Sequence, residues 1–106
     1  MSENLQSILR ELRRQLESLY GERLVALVLF GSQARGDAQP GSDIDVLVVL
    51  KGTVEAGAEI SRTGQIVADL SLDNDVVISC VFMDEDRFLH RAGPLLRNIR
   101  REGVAV

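Results

Sequence analysis

Gly31-Ser32 is followed, after ten residues, by Asp43-Ile44-Asp45, and an apolar run stands on each side of the segment. Leu24 to Phe30 leads in and Val46 to Leu50 leads out. Short apolar runs bounded by turn residues read as strands. The pattern therefore predicts a strand ending in a Gly-Ser turn, a loop rich in glycine and proline, and a second strand opening on two carboxylates. Side chains two apart on a strand share a face, with Cα atoms about 6.6 Å apart. Carboxylates so placed can share a hard cation such as Mg2+, which prefers oxygen ligands and keeps a triphosphate as co-ligand. The turn offers backbone N–H groups and a hydroxyl to phosphate oxygens.

The rest of the chain supplies a scaffold for such a pair. Leu5, Ile8, Leu9, Leu12, Leu16 and Leu19 recur at helical spacing, with Arg10, Glu11, Arg13, Arg14 and Glu17 between them. That is an amphipathic helix with one apolar face, which packs a core or contacts a partner. Ser2 with Gln6, or Asn4, can cap its start, and Gly21 can stop it. Asp43 to Leu50 reads as a strand buried on both faces, because its apolar stretch is continuous. Residues 54 to 72 suit a helix whose apolar face carries Ile60, Ile66, Val67 and Leu70, with Gly57 and Gly64 weakening it by up to ~1 kcal/mol each. Asp75 to Met83 reads as a third strand. Asp84-Glu85-Asp86 suits the acidic start of a helix. Pro94 opens a last helix to about Arg101, and residues 104 to 106 form an extended tail. Phe82 and Phe88 read as core. The expectation is one α/β (α+β) domain over residues 1–106, a small mixed β-sheet with flanking helices.

Composition narrows the function classes. Twelve basic and sixteen acidic residues leave a net charge of −4 in 106 residues. A protein that coats nucleic acid needs surplus cations, so direct nucleic-acid binding is disfavoured, although Arg97, Arg100 and Arg101 form a small basic cluster. Cys80 is the only cysteine. It cannot form an internal disulfide, and in its apolar run it reads as a buried, inert thiol. The sequence has neither a signal-peptide pattern nor an apolar run of membrane-spanning length, which predicts a cytoplasmic protein with no membrane association.

Gly31-Ser32 and Asp43-x-Asp45 at this spacing, with Ala34-Arg35-Gly36 and Ser42-Asp43-Ile44-Asp45 around them, resemble the signature of the minimal nucleotidyltransferases. These belong to the superfamily of DNA polymerase beta and the kanamycin-type antibiotic nucleotidyltransferases. The resemblance implies a nucleotidyltransferase fold like the polymerase beta palm. It implies that Gly31 and Ser32 grip the triphosphate of ATP, and that Asp43 and Asp45 are catalytic and bind one or two Mg2+ ions. Arg35 and Ser42 lie within the matching stretches and are candidate nucleotide contacts. The plainer roles are an ion pair with Asp37 for Arg35, and a cap on the turn for Ser42. His90 reads as a surface or packing histidine rather than a base.

Relatives carry a third carboxylate on the next strand. Asp75 is the candidate here as a further metal ligand. Counting back from Asp84-Glu85-Asp86, however, brings the expected position to Ser79. The two share a face but lie ~13 Å apart along a strand. Either the strand is shifted so that Asp75 serves, or the third ligand is missing. The resemblance further implies AMP transfer from Mg-ATP to a protein hydroxyl, a tyrosine, of an all-helical HEPN-type toxin encoded alongside, with this chain as antitoxin. A chain this short needs that partner, or a second copy of itself as homo-oligomer, to complete the site. The alternative is a catalytically impaired module that neutralises its helical partner by contact alone, through the Leu5 to Leu19 face or the Arg97 to Arg101 stretch.

Overall fold

A computed structural model describes residues 2–106. Helix α1 (Glu3–Tyr20) starts where the Ser2 hydroxyl accepts the Leu5 N–H at 3.1 Å, and ends at Gly21, whose φ of 56° a residue with a side chain adopts poorly. Its apolar stripe is buried: Leu5, Ile8, Leu9, Leu12 and Leu16 lie in the core with Tyr20. Each such leucine contributes about 1.5–3 kcal/mol on burial. This face is therefore spent on the fold and is not a partner surface. Leu19, expected on the same stripe, is 40% exposed, and Tyr20 takes the buried place.

Strand β1 (Leu24–Phe30) pairs antiparallel with β2 (Ile44–Leu50), which in turn pairs parallel with β3 (Ile78–Asp84). The two-residue β4 (Val104–Ala105) adds antiparallel to β1, so the expected tail becomes an edge strand. The order is β3-β2-β1-β4, a mixed sheet. As its unbroken apolar run predicted, β2 is covered on both sides, and it pairs with both β1 and β3. Ile44, Val46, Val48 and Leu50 pack with α1, and Leu47 and Val49 pack with Met83, Leu96 and Ile99 on the other face. Between β1 and β2 lies one turn of helix, α2 (Ser32–Arg35).

Helix α3 (Ala56–Asn74) crosses from β2 to β3. Its buried face differs from the one expected. Ile60 is 56% exposed, whereas Glu59 and Thr63 are buried. Burial of Glu59 is possible because it is fully partnered: Tyr20 Oη donates to its Oε1 at 2.7 Å and Arg62 at 2.9 Å, with Arg23 at 3.7 Å. The helix also runs two residues past the expected end. Asp75 closes it in the left-handed region at φ 52°, and the Val76 N–H returns to Ser71 O at 3.0 Å. Asp75 is thus a helix cap and not the first residue of β3, which begins at Ile78.

Asp84 caps α4 (Glu85–His90) by accepting the Arg87 N–H at 2.8 Å, and α5 (Pro94–Glu102) begins at its proline as expected. Phe82 and Phe88 are half-buried against the two core clusters. Cys80 is half-buried too, and burial pushes its thiol up to about 11, which keeps it protonated at neutral pH. Among the described residues no helix is long and apolar enough to cross a membrane.

Candidate active site

The end of β1 and the start of β2 meet where Phe30 pairs with Asp45. The chain then turns at Gly31 with φ 76°, a conformation that favours glycine. A Cβ built on Gly31 would stand 2.5 Å from Asp45 Oδ2. The Gly-Ser turn and the carboxylate are therefore in direct apposition, and glycine is required there twice over, for its backbone angle and for space. The next residues wind into α2, with the Ala34 and Arg35 N–H groups both donating to Gly31 O at 3.1 Å. The amides of Ser32 and Gln33 begin the helix, and such first-turn amides have no carbonyl within it to bond. They and the Ser32 hydroxyl belong to the turn that abuts Asp45.

Asp43 and Asp45 lie two apart along one side of the β2 path. Asp43 is exposed and Asp45 half-buried. Asp45 alternates with Leu47 and Val49, so the pair sits at one end of the sheet on the face that α5 covers. Burial raises the Asp45 carboxyl above its ordinary value, and the charge of Asp43 raises it further. A cation between the two oxygens would relieve both effects, so an all-oxygen pair of this kind fits a hard divalent ion.

On the neighbouring strand Ser79 is in register with Asp45, and its hydroxyl donates to Asp43 Oδ2 at 3.4 Å. The position beside the pair is thus held by a serine. Asp75, on its helix cap, precedes β3 by three residues and does not join the pair. Among the described residues no three His, Cys, Asp or Glu side chains are grouped to hold one ion. His90 is exposed at the end of α4, 3.9 Å from Asp86.

The loop of residues 36–43 is organised locally. Ser42 caps its turn, accepting the Gln39 N–H on its hydroxyl at 2.9 Å and donating its own N–H to Gln39 O at 3.0 Å. Arg35 pairs with Asp37 at 3.2 Å, as the plainer sequence reading had it, and also with Glu102 at 3.4 Å. Those two carboxylates hold its guanidinium above its ordinary value. Glu102 has no signal in the sequence that could tie it to this site. It comes from the end of α5, and only the return of β4 along β1 brings it beside Arg35.

The profile of the nucleotidyltransferase domain family matches residues 9–104. A protein of Methanocaldococcus jannaschii named as a candidate protein adenylyltransferase is 34% identical over 101 residues, 94% of this chain and 95% of its own length. A solved toxin–antitoxin structure with AMP-PNP superposes with a TM-score of 0.63 at 20% identity, over 98% of this chain and 72% of that one. A Shewanella oneidensis complex of a tri-AMPylated HEPN toxin with an MNT antitoxin superposes with a TM-score of 0.54 at 20% identity, over 96% of this chain and 67% of that one. The two structures support a common fold.

Proposed function

The chain belongs to the nucleotidyltransferase domain family, and on that premise we propose that it transfers AMP from Mg-ATP to a tyrosine hydroxyl of a HEPN-type toxin, which it thereby silences as antitoxin. The observation that carries this reading is the apposition of Gly31 to the Asp45 carboxylate, which joins a phosphate-gripping turn to a cation-holding pair. Its wider support is the curated relative named for protein adenylylation and the toxin–antitoxin assemblies that share the fold.

In the reaction the acceptor oxygen attacks the α-phosphorus of ATP, a new P–O bond forms, and the bond to the β-phosphate oxygen breaks to release pyrophosphate. Asp43 and Asp45 would hold a divalent ion, which would supply charge neutralisation at the phosphoryl oxygens. The Ser32 hydroxyl and the first amides of α2 would hold the β- and γ-phosphates. Ser79 holds Asp43 by its hydroxyl. Arg35 and Ser42 keep the loop of residues 36–43 in place beside the nucleotide. With no carboxylate beside the pair to take the acceptor proton, the partner supplies the base, or the tyrosine gives its proton to water.

A second reading has its own observation. Ser79 stands in register with Asp45, and among the described residues no third acid joins the pair. That favours a module which neutralises its partner by contact, with Arg97 and Arg101 on the exposed side of α5 as contact residues. Incubation of the partner with ATP labelled at the α-phosphate separates the two. Label on the partner with wild-type protein, and none with Asp43→Asn/Asp45→Asn, is the expected result. Full neutralisation by the double variant without any label would select the contact module.

A further inference from the structure

Strand β3 is an edge strand that is little guarded between its ends. The segment Ile78 to Met83 has no lysine, no proline and no bulge, and its register with β2 is unbroken. The opposite edge is closed by β4, only two residues long. Because Ile44 N–H donates to Val77 O, the parallel ladder uses the odd-numbered residues of β3 for β2. The backbone groups of Ile78, Cys80 and Phe82 therefore face outward. The Ile78 N–H is taken by the Ser71 hydroxyl at 3.3 Å. Cys80 and Phe82 remain, each offering one N–H and one C=O.

Beside this edge runs a groove of about 370 Å³ between β3 and α3, bordered by Ile60, Gly64, Ala68, Cys80 and Phe82. None of its lining residues is charged, in a chain where 26% are. Ile60, at 56% exposure, adds apolar area on the helix side of this groove.

We propose that this edge pairs antiparallel with β3 of a second copy of the chain, about a two-fold axis at Val81. In that register Cys80 of one copy faces Phe82 of the other, and the two pairs exchange four hydrogen bonds, using the outward N–H and C=O of both residues. Shifting the axis to Cys80 would call on the capped Ile78 N–H, and shifting it to Phe82 would call on Asp84, which already turns into α4. Helix α3 returns the chain from β2 to the parallel β3 and so runs antiparallel to β3, and the axis therefore also brings the two α3 helices towards each other on one face, with the exposed Ile60 of each in the contact. A surface free of charge meets its own copy without like-charge repulsion, which is why a second copy fits better than a charged partner. The proposal does not depend on the nucleotidyl-transfer reading, and its test involves neither nucleotide nor toxin.

Sedimentation velocity of the full chain from low to high micromolar concentration, with hydrogen exchange at both ends of that range, tests it. The expected result is a dimer at high concentration, slowed exchange of the Cys80 and Phe82 amides in the dimer alone, and loss of the dimer in Ile60→Lys with an unchanged circular dichroism spectrum. Ile60 is exposed, so that variant keeps its fold. A wild-type chain that stays monomeric, as it would if a different protein's strand used this edge, overturns the proposal. So does a dimer that survives Ile60→Lys, or one in which those amides exchange as fast as in the monomer.

Discussion

Gly31 concentrates the demands of the site in one residue. Its φ of 76° costs an alanine about 1 kcal/mol or more. The added Cβ would also meet the Asp45 carboxylate at 2.5 Å. Asp45 cannot retreat easily, since it is flanked on β2 by the buried Ile44 and Val46. Gly31→Ala is therefore expected to displace the carboxylate and weaken metal-dependent ATP binding by about tenfold or more, equivalent to about 1.4 kcal/mol, while the far-UV circular dichroism stays native. Calorimetric titration measures the affinity, and unchanged affinity would mean that Gly31 and Asp45 do not act together. The shared side of Asp43 and Asp45 was legible in the sequence, because residues two apart on a strand share a face, whereas the contact of Gly31 with Asp45 was not. What stayed hidden was the identity of the neighbours. Glu102 reaches Arg35 through a strand of two residues, too short to leave a pattern. Asp75 was misplaced because α3 overruns its apolar period and closes on a left-handed aspartate, a backbone state that the composition of one segment does not reveal.

At the scale of elements, α1 and α3 are tied by a polar contact inside an apolar layer. The Tyr20 hydroxyl donates to Glu59 across the two helices, and the Arg23 guanidinium lies 5.6 Å from the Tyr20 ring centroid. This contact explains the misassigned face of α3. Sequence periodicity places Ile60 inside, and Glu59 is buried instead because partners from α1, from α3 and from the turn before β1 satisfy the carboxylate. Tyr20→Phe is expected to cost about 1–2 kcal/mol in chemical denaturation, since Glu59 loses one donor and keeps two. Burial, chiefly, and then the Glu59 bond and charge raise the Tyr20 hydroxyl above its ordinary 10.0. Above pH 10 the unfolded chain releases that proton while the folded one retains it. The stabilisation is therefore whole below pH 10 and declines as pH rises beyond it. The difference between wild type and Tyr20→Phe should shrink over that range, and a constant difference up to the alkaline limit would contradict the assignment.

For the whole molecule, the two long helices cover one face of the sheet and α5 the other, so the sheet interior carries the stability and the candidate site lies at one end. The order of helices and strands and the burial of β2 on both faces followed from the lengths and apolarity of successive runs, which report burial directly. The pairing of β4 and the open edge of β3 did not, because strand order is a property of the assembled sheet. The account stands or falls on whether that sheet end holds a nucleotide through its two carboxylates. The most direct measurement is calorimetric titration of the purified chain with ATP, with and without Mg2+, beside Asp43→Asn/Asp45→Asn. The account predicts binding that requires Mg2+ and disappears in the double variant. Binding that is indifferent to the metal, or as tight in the variant as in the wild type, would contradict it.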